Sequence, residues 1–149
     1  AGAPSPRMPP PERRVRGECF KDNLSARIYA VPSALPELDR TPMGGYPDLG
    51  YMVRFGRWTI YHAGDCVPYD SLADRLRPYN VSVALLPVGG KNFSVSEAAQ
   101  LASDIGATWV VPMHYIDGAD EFVDHLLGHR PDQKFMVFER GEKWTVPED

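Results

Sequence analysis

Between Val81 and Val88 the chain reads Val-Ser-Val-Ala-Leu-Leu-Pro-Val, almost without a polar side chain. A short continuous apolar run of this kind suits a strand covered on both faces, as in parallel sheets flanked by helices. Gly89-Gly90 follows, and Ser94 and Glu97 then stand in capping-box spacing. Val95, Ala98, Leu101, Ala102 and Ile105 form an apolar stripe at helical period, and Gly106 suits the C-terminal cap. A second apolar run, Thr108–Met113, comes next. Strand, helix and strand within so few residues predict a βαβ unit and an α/β fold.

The flanks extend this unit on both sides. Residues 1–14 hold five prolines (Pro4, Pro6, Pro9, Pro10, Pro11) and are expected to be a tail. From Val15 the pattern turns strand-like, at Cys19-Phe20 and again at Ala26–Val31. Residues 32–50 are rich in Pro and Gly and read as a long loop. Tyr51–Phe55 and Trp58–Tyr61, separated by Gly56-Arg57, predict a hairpin. A helix is expected to begin at Asp70 and stop at Pro78, and another to cover about Ala119–Leu127. A closing hairpin is expected from Phe135–Phe138 and Lys143–Val146, turning at Gly141. Residues 15–149 thus read as one domain.

Composition excludes several classes of partner. A net charge of −4 argues against general binding to nucleic acid, and the one basic cluster (Arg7, Arg13, Arg14, Arg16) falls at the tail. No apolar run approaches the roughly 20 residues that span a bilayer. Two cysteines, Cys19 and Cys66, do not make a disulfide scaffold, so a reduced cytoplasmic setting is expected.

Two apolar segments end on metal-competent side chains. Tyr61-His62-Ala63-Gly64 leads to Asp65, and Trp109–Met113 leads to His114. A strand that stops at a carboxylate or an imidazole delivers it to the rim of the sheet, where sites of α/β folds tend to lie. His62 reads either as a sheet histidine satisfied by a backbone carbonyl or as a proton-transfer residue beside Asp65. Cys66 reads as a buried thiol, with metal ligation as the rival. His125 and His129 stand four apart on or after a helix and read as a solvated pair. Gly89-Gly90 lacks the lysine and hydroxyl of a P-loop and reads as a plain turn.

Leu49-Gly50-Tyr51-Met52-Val53, Tyr61-His62-Ala63-Gly64-Asp65, Leu85–Gly90 and Val111-Pro112-Met113-His114-Tyr115 together resemble the C-terminal half of a metallo-β-lactamase-fold hydrolase. The closing Gly141–Pro147 resembles the subgroup that includes ascorbate-6-phosphate lactonase. The resemblance implies one half of an αββα sandwich: a mixed sheet with helices on one face. It implies that Asp65 bridges two metal ions, zinc or manganese, that His114 binds one of them, and that a bridging hydroxide attacks a small-molecule substrate. Asp65 and His62 are the catalytic candidates. The family's N-terminal histidine cluster has no counterpart here, since residues 1–61 contain no histidine, and Leu35 stands where a further histidine ligand is usual. The site is therefore expected to be incomplete in this chain. The bare sheet face is expected to be covered by a second copy or by a partner chain carrying the other half. The alternative is a non-catalytic, degenerate dimerisation or interaction module.

Overall fold

The computed structural model describes residues 13–15, 26–115 and 119–147. Its strands are β1 (Arg13–Val15), β2 (Ala26–Pro32), β3 (Leu49–Phe55), β4 (Trp58–His62), β5 (Val83–Pro87), β6 (Trp109–Met113) and β7 (Lys134–Phe135). They form one sheet in sequential order, antiparallel from β1 to β4 and parallel from β4 to β7. Helix α1 (Leu72–Leu76) with a 3-10 turn joins β4 to β5, α2 (Val95–Ile105) joins β5 to β6, and α3 (Ala119–His129) joins β6 to β7. Parallel crossovers are right-handed in nearly all proteins. Because the four parallel strands follow one another in one direction, all three crossovers place their helices on the same face. The half-sandwich architecture is the one expected.

Strand register sorts the side chains. Tyr29, Met52, Tyr61, Ala84, Leu86 and Val110 point to the helices and join Leu76, Ala98, Leu101, Ala102, Phe122 and Leu126 in the core. Tyr61 is wholly buried, and its hydroxyl has no hydrogen-bond partner among the described residues. Burial raises its pKa, with the neighbouring Cys66 adding to the effect. The other face carries Ile28, Ala30, Tyr51, Val53, Ile60, His62 and Leu85 with solvent access, while Val83 and Val111 on the same face are buried. No helix covers it. At the β6 edge the C-terminal segment reaches over it, where Trp144 meets Trp109 edge-on at 4.8 Å between ring centroids.

Local chemistry explains the elements. The α2 cap forms as the spacing predicts: Ser94 Oγ accepts from the Glu97 amide and the Glu97 carboxylate accepts from the Ser94 amide. Gly106 ends the helix at φ 64°. Four expectations are corrected. The helix expected from Asp70 begins at Leu72, after Ser71 in a left-handed conformation (φ 76°), and Pro78 does not stop it abruptly. Lacking an N–H, Pro78 fits within a 3-10 turn, Arg77–Tyr79, instead. The closing hairpin has its turn, with the Glu142 amide donating to Glu139 O at 3.0 Å, but residues 136–147 form no strand. Side-chain contacts of Trp144 with Trp109 and Phe138 hold the returning leg in place of a backbone ladder. β1 includes Arg13 and Arg14, so ordered pairing starts inside the stretch expected to be tail. Cys19-Phe20 and the remainder of that tail lie outside the described residues.

Candidate metal centre

Asp65 and His114 meet. His114 Nδ1 lies 3.1 Å from Asp65 Oδ1, with both side chains about half exposed. Adjacent strands are about 4.8 Å apart, so β4 and β6 ends lie about 10 Å from each other across β5. The segment after β4 must therefore run over the end of β5 to close the gap. Gly64 turns the chain there at φ 66°, a region glycine enters without steric cost. His114 itself sits at φ 64°, which a residue with a side chain adopts only where its surroundings impose it.

The loop that presents Asp65 is stitched from three sides. Ser33, buried after β2, places its hydroxyl 2.7 Å from Asp65 O and 3.2 Å from Ala63 O. The Val67 amide donates to Ala34 O at 2.8 Å, and the Cys66 amide donates to Asn92 Oδ1 at 2.9 Å. Gly50 lets β3 pass beneath: a Cβ at that position would lie 2.8 Å from Ala63 O and 2.9 Å from His62 O. Ser33 and Asn92 are supports that the sequence reading missed. Asn92 stands in a glycine-rich turn, a signal for hydrogen-bonding loops, but its partner 26 residues away is not written in any spacing.

The remaining candidates fall elsewhere. His62 ends β4 on the uncovered face, in register with Tyr51 and Leu85. The packed histidine bonded to a carbonyl is a correction: the side chain is exposed, and its Nδ1 accepts from the Gly64 amide at 3.1 Å. No hydrogen bond or ion pair among the described residues links it to Asp65 or His114. Cys66 is wholly buried, and its thiol faces Val67 O at 3.3 Å. His125 approaches Glu121 at 4.0 Å on α3, one turn from its own position. Leu35 follows β2, half-buried. Gly89-Gly90 forms a turn in which the Gly89 amide donates to Phe93 O.

The donor set fits one flank of a cation. Two ligand atoms about 2.0–2.1 Å from one tetrahedral metal lie about 3.3 Å apart, close to the 3.1 Å found here. Among the described residues no group of three His, Cys, Asp or Glu side chains converges, so two donors stand where a catalytic zinc site has three protein ligands. A mixed sheet clad on one face, with a carboxylate and an imidazole meeting at its rim, defines the class of metallo-β-lactamase-fold proteins. By sequence, residues 23–114 match the model of the beta-lactamase superfamily domain, and the chain belongs to that family. It is 41% identical to a UPF0173 metal-dependent hydrolase of Pyrococcus horikoshii, over 78% of this chain and 53% of the relative. A namesake from Caldivirga maquilingensis is also 41% identical, over 80% and 53%. The structure superimposes on Igni18, a metallo hydrolase from Ignicoccus hospitalis, with a TM-score of 0.64 at 26% identity, over 78% of this chain and 51% of that one. The chain spans about half the length of these relatives. No helix among the described residues is long and apolar enough to cross a membrane.

Proposed function

We propose that the chain contributes Asp65 and His114 to the centre of a metal-dependent hydrolase acting on a small molecule, the other ligands coming from the complementary half of the sandwich. The observation that carries this reading is the 3.1 Å approach of Asp65 Oδ1 and His114 Nδ1, made by two strand ends that are not neighbours in the sheet. A bound divalent cation supplies Lewis acidity toward the scissile bond, and a carboxylate with an imidazole suits zinc or manganese. Asp65 offers its oxygens from a loop clamped by Ser33 and Asn92, so little reorganisation is needed when the cation arrives. With its Nδ1 accepting from Gly64, a neutral His62 carries its proton on Nε2, the atom that moves a proton in this reading.

The same half-sandwich covers the apolar face bearing Ile28, Val53, Ile60 and Leu85, and encloses His62. Large apolar patches are rare on isolated chains and mark interaction surfaces. The length of the relatives supports the same occupant, since each carries about as much chain again. The test joins this chain to such a half and assays lactone, phosphodiester, thioester and β-lactam hydrolysis with zinc or manganese. Lactones stand first because the closing segment resembles the ascorbate-6-phosphate lactonase subgroup. Asp65→Ala and His114→Ala should each lower the rate by more than about a hundredfold. Undiminished hydrolysis in either variant overturns the assignment.

A further inference from the structure

Arg40 in the loop from β2 to β3 and Arg75 on α1 form a pair of cations that the metal centre does not use. Two guanidiniums converge on Tyr46. Arg40 Nη2 donates to Tyr46 Oη at 2.7 Å, and its guanidinium carbon lies 4.4 Å from the ring centroid. Arg75, reaching from α1, donates Nη2 to the same oxygen at 3.3 Å, its carbon 5.6 Å from the ring. A guanidinium has five N–H groups. Arg40 spends one further donor on Gly44 O at 3.0 Å, and Arg75 one on Ser71 Oγ at 3.3 Å, leaving three on each side chain. Among the described residues neither makes an ion pair. Asp39 accepts from the backbone amide of Arg40 rather than from its side chain, and Asp74 is engaged by Arg77. Because Tyr46 Oη accepts twice, its own proton is free to be given, and no acceptor for it stands among the described residues.

A single arginine on Tyr46 would suffice to tie the loop to α1. The second adds like-charge repulsion, against only a modest cation–π attraction at a half-buried ring. An oxyanion set between the two guanidiniums turns that repulsion into two charge-assisted contacts, with the Tyr46 hydroxyl as a third donor. The cluster stands at the Asp65 end of the sheet. Its loop leaves β2 at Pro32, and Ser33 in that loop also touches Asp65 O. We propose that Arg40, Arg75 and Tyr46 form a binding site for a phosphate-type dianion. Two fixed positive charges and several unspent donors favour a tetrahedral dianion over a planar monoanion.

The test titrates this chain with inorganic phosphate at constant ionic strength. A chelator is present so that no metal at Asp65 and His114 takes part. Arginine Nε–H signals and thermal stability are the two readouts. Saturable binding is expected, much tighter than for acetate or chloride, and weakened at least about tenfold by Arg40→Gln and by Arg75→Gln. Each variant should keep its unfolding temperature without phosphate. Arg40→Gln, in the exposed loop, keeps the test open should Arg75→Gln fail to fold. Glycerol phosphate binding as tightly as phosphate would mark the ligand as a phosphomonoester, and weaker binding as the free ion. A response to phosphate no greater than to acetate or chloride overturns the proposal, as does unchanged binding in Arg40→Gln.

Discussion

The two faces of this sheet are built from the same strands and differ in everything else. Toward the helices, Met52, Tyr61, Leu86 and Val110 have no measurable exposure. On the opposite face Tyr51, their neighbour in the same hairpin, is 46% exposed, and Ile60 and Leu85 are only partly covered. Alternation within each strand writes both surfaces at once, but crossover handedness can fill only one of them. The first face is filled in this chain, with α2 capped and a packed core. The second lies open to solvent along β2 to β4, and the Asp65–His114 pair stands at its rim as two donors placed and supported, with no third among the described residues. Under the proposed function, folding and catalysis draw on different lengths of chain.

That contrast can be broken by substitution. Phe122→Ala, in the filled core, should cost about 3–5 kcal/mol in chemical denaturation. Gly50→Ala drives a methyl group against two backbone carbonyls that cannot swing aside, and about 1–3 kcal/mol is expected, with Asp65 displaced alongside. Ser94→Ala removes the acceptor for the Glu97 amide and should cost about 1 kcal/mol, read as loss of α2 helicity before global unfolding. Ile60→Ala, on the bare face, should change stability by less than about 0.5 kcal/mol in the isolated chain. Once the complementary half is present, the same substitution should weaken association measurably by sedimentation. If Ile60→Ala proves as damaging as Phe122→Ala in the isolated chain, the two faces are not the different surfaces described.

Much of the fold is legible in the sequence because it rests on local signals. The capping box at Ser94 and Glu97, the glycine at 106 and the apolar run of β5 each act within a few residues of themselves. The closing segment was not legible, because Trp144 is placed by Trp109, a partner far away along the chain. Nor was the start of α1, where Ser71 takes a conformation that no local pattern announces. At the site, strand ends marked Asp65 and His114 as candidates, and their resemblance to family ligands paired them. The clamps from Ser33 and Asn92 and the reach of Arg75 to Tyr46 depend on contacts across 26 to 32 residues. Spacing cannot encode these. His62 shows the remaining limit: its place was legible, but the acceptor role toward Gly64 follows from the turn itself.

Calorimetric titration of zinc or manganese separates the possibilities most directly, with this chain alone and then joined to the complementary half of the sandwich. Weak binding is expected of the chain alone. Tight stoichiometric binding is expected of the joined protein, lost in Asp65→Ala and in His114→Ala. Tight binding by the chain alone, or unimpaired binding by the joined variants, would contradict the proposed function.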